Sequence, residues 1–209
     1  MTALEATSHT SGGVPCCAVR RAASVPRLKL RAGESGRSNE LNATPSSGGT
    51  VTQLLGNPGF ENGATNPAPW VATPLVINNN SVAEPPHSGV WKAWLDGYGT
   101  THTDTLYQQV SIPSTITTAT LSFWLHIDTA ETTTTTAYDT LKVQIRSSSG
   151  SVLTTLATYS NLNAAAGYSQ KTFDISAYKG QTIRVYLLGS EDFTKQTSFV
   201  VDDFTLNVH

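Results

Sequence analysis

From residue 51 onward the chain is a succession of short stretches in which apolar and polar residues alternate, each closed by turn formers. The clearest is Ala119–Asp128. There Leu121, Phe123, Leu125 and Ile127 fall on one side, and Trp124 and His126 on the other. A period of two is the signature of a strand with one buried face. Thr140–Ser147 repeats it, with Leu141, Val143 and Ile145 inward, and stops at Ser148-Ser149-Gly150. Val51–Leu55, Trp70–Ile77, Val90–Leu95, Thr105–Ile112, Val152–Tyr159, Ser169–Ile175, Thr182–Leu188 and Ser198–Val208 complete the set. Their spacing is that of an all-β sandwich or barrel. Pro69 and Pro74 place Trp70–Ile77 at a sheet edge, because proline has no N–H to give a ladder. No segment carries the 3.6-residue period of an amphipathic helix, although Leu162–Ala166 and Ile175–Tyr178 have room for one helical turn each. The run Thr132–Thr136 reads as a surface loop or a strand edge.

Residues 1–49 show neither period. They are rich in Ser, Gly, Ala and Arg and end in Pro45-Ser46-Ser47-Gly48-Gly49, which reads as a disordered tail and linker ahead of one domain at 50–209. Charged residues make up only 13% of the chain, against the usual quarter, and Thr, Ser, Asn and Gly replace them, as suits an extracellular β-protein. The tail holds six Lys/Arg against three Glu, a net of +3, which leaves −5 for the rest of a chain whose total is −2. An acidic module points away from nucleic acid and anionic membrane as partners. No apolar run approaches the ~18 residues of a membrane span. Met1–Gly13 lacks the basic start and apolar centre of a signal peptide, so a secreted reading has to come from the module itself. The only cysteines, Cys16 and Cys17, are adjacent in the tail; no Cys or His cluster joins them, and none is left to staple the sandwich.

Three polar or aromatic features carry candidate chemistry. In Ser198–Val208, strict alternation puts Asp202 inward with Val200, Phe204, Leu206 and Val208 and turns Asp203 away. A buried, unpaired carboxylate is expensive. Either a cation or backbone N–H groups at a bulge would satisfy it. Glu61, just after the opening strand and turn, is a natural second ligand if the first and last strands lie side by side. Oxygen donors of this kind suit Ca²⁺ in a stabilising role. A second polar concentration comprises Asp96, His102, Asp104, Asp128, Glu131, Asp139, Glu191 and Asp192. Within it, Asp104, Asp128, Glu131 and Asp139 form a second candidate metal or ligand site, with turn capping as the plain alternative. Trp124, opposite the apolar side of its strand, is a candidate outer-face platform for a sugar ring, with Tyr107, Gln108, Gln144 and Arg146 as candidate neighbours. The alternative is that Trp124 packs under a loop or a neighbouring domain. Catalysis has no comparable signal. His87, His102, His126 and His209 lack zinc-ligand spacing, no Gly-x-Ser-x-Gly elbow occurs, and the carboxylates form no glycosidase signature. The chain therefore reads as a module that is not itself an enzyme.

Asn57-Pro58-Gly59-Phe60-Glu61-Asn62-Gly63 and Val201-Asp202-Asp203-Phe204 resemble the opening and closing motifs of the galactose-binding-like jelly-roll superfamily, which includes many carbohydrate-binding modules. Trp94-Leu95-Asp96-Gly97-Tyr98-Gly99, Thr101-His102-Thr103-Asp104-Thr105-Leu106, the stretch from Leu121 to Glu131 and Glu191-Asp192 resemble a narrower set. These are the C-terminal modules of secreted bacterial peptidases, especially those of the kumamolisin/sedolisin type and some zinc metallopeptidases. The resemblance spans roughly residues 50–208. It implies a jelly-roll β-sandwich of two antiparallel sheets. It also implies a structural Ca²⁺ held by Glu61 and Asp202, with Asp203 and Asn57 nearby. The implied role is that of a secreted, monomeric, non-catalytic accessory domain. Its partners would be the catalytic domain of a parent peptidase and a polysaccharide or protein substrate. A genuine carbohydrate-binding module is the alternative.

Overall fold

The structure is a computed structural model that describes residues 50–209; the expectations for residues 1–49, including Cys16 and Cys17, lie outside the described residues. Eleven strands are present among the described residues: β1 (Thr52–Gln53), β2 (Val71–Ala72), β3 (Ile77–Asn78), β4 (Lys92–Asp96), β5 (His102–Ser111), β6 (Ala119–Thr129), β7 (Thr140–Ser147), β8 (Val152–Ser160), β9 (Ala165–Asp174), β10 (Thr182–Glu191) and β11 (Thr197–Val208). They form two antiparallel sheets. Sheet I runs β3-β4-β11-β6-β9, with β1 added alongside β11; sheet II runs β2-β5-β10-β7-β8. This is the jelly-roll β-sandwich expected. A single 3-10 turn at Ser176–Tyr178 lies within the expected Ile175–Tyr178, whereas the turn at Asn161–Asn163 meets Leu162–Ala166 only at its start, because β9 takes over from Ala165. No helix among the described residues is long and apolar enough to cross a membrane.

The core is made by the inward halves of the alternating strands. Leu121, Phe123 and Leu125 of sheet I face Leu141, Val143, Val185 and Leu187 of sheet II, and all are buried. One end of that core is aromatic. Phe204 stacks on Phe123 at 4.8 Å between ring centroids, and Trp70 lies 4.9 Å from Phe204 and 5.2 Å from Phe60. These contacts bolt the opening turn and the Trp70 segment onto the last strand.

Two sequence expectations are corrected. Trp70–Ile77 is not one edge strand. Pro74 and Leu75, the latter at φ +74°, break it into β2 on the edge of sheet II and β3 on the edge of sheet I. The second correction concerns β11. Asp202 pairs with Trp124, yet Thr205 pairs with Ser122, so three steps on β11 match two on β6. This is a β-bulge, and Asp203 turns it at φ +48°. One extra residue resets the period of two. Asp202 therefore shares the outer face of sheet I with Trp124, and Phe204, Leu206 and Val208 return to the core. Asp202 is nonetheless fully buried, because the chain from Glu84 to Trp91 passes over it.

Candidate functional site

The bulge places three acidic side chains around Gly59. A β-carbon there would lie 3.3 Å from Asp203 Oδ1 and 3.8 Å from both Asp202 Oδ1 and Glu61 Cγ. The surrounding loops are tied to these acids. Asp202 Oδ2 accepts from the backbone N–H of His87 at 3.0 Å and Ser88 at 3.2 Å, and Oδ1 accepts from Asp203 N–H at 2.8 Å. Asp203 meets His87 Nδ1 at 2.6 Å and accepts from Ser88 Oγ at 2.8 Å. Glu61 Oε1 accepts from Val90 and Trp91 N–H at 2.9 and 3.0 Å. Burial pushes the Asp202 carboxyl up to about 6, against the three backbone donors that favour its charged form. Gly89, at φ +62°, is required here because the Glu61 carboxylate fills the space its β-carbon would need.

Oxygen-rich donors of this kind match a hard cation such as Ca²⁺ in chemistry. The carboxylates are, however, already engaged by protein donors, and no three His, Cys, Asp or Glu among the described residues are drawn together as a metal shell. Asn57 stands apart from the acids. Its Oδ1 accepts from Asn62 N–H at 3.2 Å, its Nδ2 donates to Pro67 O at 3.3 Å, and its backbone sits at φ +48°. It shapes the turn.

Trp124 lies on the outer face of sheet I, as its alternation dictates, but a lid covers it. The His87 ring stacks on the indole at 4.0 Å and 15°, and Tyr168, whose hydroxyl donates to Pro85 O at 2.9 Å, meets His87 edge-on. Beneath the same segment, His126 Nε2 lies 3.6 Å from Glu84 Oε2. Lys92 is fully buried and donates to Asn78 Oδ1 and Asn80 O, both at 2.7 Å. Burial pulls its ammonium down to about 8, resisted by the charges of Glu84 and Asp202.

The other outer face is different. On sheet II, Tyr107, Tyr186 and Gln144 stand side by side in register across β5, β10 and β7, with Gln109, Arg184 and Arg146 in the next row. The two tyrosine rings are parallel at 5.4 Å and 9°. The Arg146 guanidinium lies 3.5 Å from the Tyr186 centroid and donates twice to Gln144 Oε1, at 2.9 and 2.7 Å. Arg184 lies 5.0 Å from the Tyr107 centroid and is held by Gln109 Oε1 and Ser148 O. The face is thus an ordered array of phenol, guanidinium and amide groups. Lys142, exposed on the same side of β7, adds a third positive charge, and the outward positions of β5, β7 and β10 carry no Asp or Glu.

Of the residues singled out in the sequence, Tyr107, Gln144 and Arg146 come together on this face, and Trp124 lies on the opposite sheet. Gln108 points inward, its amide exchanging hydrogen bonds with both backbone groups of Gly56. Tyr186, Arg184 and Gln109 were missed. Their outward alternation with Ile183, Val185 and Leu187 was readable, but not which strand would lie beside which. Asp104 and Asp139 meet at one buried end of the sandwich, where Asp96 and Glu191 join them. Asp128 instead is exposed opposite Ser198 on sheet I, and Glu131 lies 3.8 Å from Lys195.

No protein-family model and no curated protein matches this chain. Among solved structures, the chain is similar to the family 61 carbohydrate-binding module TmCBM61 in complex with β-1,4-galactotriose. The two share 17% identity at a TM-score of 0.52, over 74% of this chain and 97% of that one. A xylan-binding CBM22-1 domain from Paenibacillus barcinonensis shares 14% identity at a TM-score of 0.43, over 72% of this chain and 90% of that one. The enzymatically active domain of tailspike protein 4 of bacteriophage CBA120 shares 9% at 0.49, over 75% of this chain and 21% of that one. At 17% identity the likeness to TmCBM61 is one of fold. Residues 50–209 are a jelly-roll β-sandwich with the fold of a carbohydrate-binding module.

Proposed function

We propose that this chain is a non-catalytic carbohydrate-binding module of a secreted bacterial hydrolase, and that the outer face of sheet II is its glycan surface. The observation that carries this reading is the stacked Tyr107–Tyr186 pair with its bracketing arginines. Sugar hydroxyls need fixed donors and acceptors, and sugar C–H faces need aromatic surface. Both are present here on rigid strands. Arg146 is already held by Gln144, so binding orders little that is not ordered beforehand. Lys142, Arg146 and Arg184 with no opposing carboxylate favour a glycan that carries carboxylates, such as a uronic-acid polymer.

The motifs around Trp94–Gly99 and Leu121–Glu131 support a parent enzyme of the sedolisin type, which the module would hold at its substrate or at a surface. Ca²⁺ at Glu61, Asp202 and Asp203 would pin the opening turn to the last strand. Calorimetric titration with oligogalacturonates and with neutral galacto-oligosaccharides tests the reading. Binding that Tyr186→Ala and Arg146→Gln each weaken tenfold or more is expected. Binding indifferent to both substitutions sinks the assignment to this face.

A further inference from the structure

We propose that the slot between the free edges of the two sheets, β8 and β9, binds a small carboxylate carried on an apolar ring. Lys171 meets the charge, and Leu125, Ile127 and Tyr159 seat the ring. The site is separate from the Glu61–Asp202 junction and from the outer face of sheet II, and it does not depend on the glycan reading.

The anomaly is Lys171. On β9 it pairs with Phe123, and Ser169 pairs with Leu125. Directly paired residues of antiparallel strands share a face. Phe123 and Leu125 are core residues, so Lys171 points into the sandwich. Phe173, two residues further on, does the same and stacks on Phe123. The facing edge is turned inward as well, because Tyr159 of β8 pairs with the core residue Leu141. The two side chains meet across the opening, with the Lys171 ammonium 5.1 Å from the Tyr159 ring centroid.

An inward charge on an edge strand blocks edge-to-edge pairing. That role accounts for the lysine but not for the hollow beside it. Along β9 the inward side chains shrink to Ser169 and Ala165, both inward by register and yet exposed. Even a β-carbon built on Gly167 would meet nothing within 4 Å. The sheets therefore part here, and a cavity of about 200 Å³ opens between them, with Leu125 and Ile127 as its floor. An apolar space of about 150 Å³ already takes a benzene.

The unpaired polar groups of this cavity are donors. Among the described residues Lys171 forms no ion pair and no hydrogen bond, and the Tyr159 hydroxyl has no partner. Asn163 Oδ1 accepts from Ser160 N–H at 2.9 Å, which leaves its Nδ2 hydrogens free. Ser169 Oγ is used on Leu125 O at 3.4 Å. No Asp or Glu lines the cavity. One uncompensated positive charge beside unpaired donors calls for an anion whose oxygens only accept, and a carboxylate is that group. A sugar ring suits the floor poorly, since its hydroxyls must also donate and Leu125 and Ile127 offer them nothing. A hydrocarbon ring buries well there and meets the Tyr159 face.

The test is titration of the full chain, followed by backbone-amide NMR, with phenylacetate, its neutral isostere phenylacetamide, and galacturonate. Phenylacetate is expected to saturate, with shifts centred on Asn163, Gly167, Ser169 and Lys171. Phenylacetamide lacks the charge and galacturonate lacks the apolar ring, so each should bind this slot tenfold or more weakly. Lys171→Met keeps an apolar stem in place and should cost phenylacetate tenfold or more while leaving phenylacetamide unchanged. No saturable binding of phenylacetate, shifts centred elsewhere, or an unchanged affinity in Lys171→Met overturns the proposal. So does an acid that binds no better than its amide, a comparison made on the natural chain alone and open whether or not the variant folds. Galacturonate equal to phenylacetate at this slot removes the apolar ring and overturns it too. Self-association of Lys171→Met, with a natural chain that ignores phenylacetate, means a lysine that only guards the edge.

Discussion

His87 lies flat on Trp124, ring centroids 4.0 Å apart and 15° from parallel, so the tryptophan that alternation turns outward on sheet I is roofed by the loop that also caps Asp202. The same loop explains why one side of the molecule is closed and the other open. His87 N–H and Ser88 N–H reach Asp202, and His87 Nδ1 reaches Asp203, so loop, bulge and indole form one unit. Replacing His87 with alanine should cost about 1 kcal/mol, the size of one aromatic stack with a partly exposed polar contact. Denaturant unfolding measures that cost. Glycan affinity should stay within twofold of the natural chain, because the proposed binding face belongs to the other sheet.

Asp202→Ala should be far more damaging. Three part-buried backbone N–H groups lose their acceptor, a loss on the order of 3 kcal/mol. Asp202→Asn keeps an acceptor and should cost clearly less. Comparing the two unfolding midpoints separates capping from charge.

Calcium binding at the proposed Glu61–Asp202 junction would have its own thermodynamic mark. An ion present at about 100 times its Kd adds about 2.7 kcal/mol to stability, several degrees in Tm. Thermal unfolding with calcium and with a chelator should show that shift, and Glu61→Gln should shrink it.

Phe204 sits where the opening turn, the Trp70 segment and β6 meet, in ring contact with Phe60, Trp70 and Phe123. Phe204→Ala should cost about 4 kcal/mol by emptying that junction. The check is the shift in urea midpoint.

Stability should also depend on pH in an unusual direction when measured in chelator. Asp96 and Asp202 are raised to about 8 and about 6 from an ordinary 3.8. The folded chain therefore holds protons that the unfolded chain has released. The associated stability is complete below the unfolded value and is lost as pH rises, through about 6 for Asp202 and about 8 for Asp96. Lys92, lowered to about 8, has its full cost below that pH, so it does not reverse the trend in this window. Urea midpoints in chelator should fall between about pH 5 and about pH 8. Asp96→Asn should flatten the upper part of the decline.

Much of this architecture is written locally. The strands from β4 to β11 follow from alternation and turn residues, since burial of one face in two is a property of neighbouring positions. The bulge was legible only as one of two ways to satisfy Asp202, the one with backbone N–H donors that the structure shows, because Val200, Asp202, Phe204 and Leu206 keep a regular polarity pattern through a step that adds a residue. Pairing with Trp124 and Ser122 fixes its place and turns Asp202 to the outer face. Asp96 was hidden for a related reason. A left-handed backbone at one residue inverts its side, and Leu95-Asp96-Gly97 gives no sign of it. The sheet II face was half legible. Tyr107, Gln144 and Arg146 lie on strands that are far apart in sequence, and β10, which lies between β5 and β7, supplies the missing Tyr186 and Arg184.

The most direct test of the central claim is a calorimetric comparison of the natural chain, Tyr186→Ala and Trp124→Ala on an oligogalacturonate. The account predicts that Tyr186→Ala loses tenfold or more in affinity, about 1.4 kcal/mol, and that Trp124→Ala binds like the natural chain. Loss of binding in Trp124→Ala with Tyr186→Ala unaffected would place the glycan on the wrong sheet for this account and contradict it.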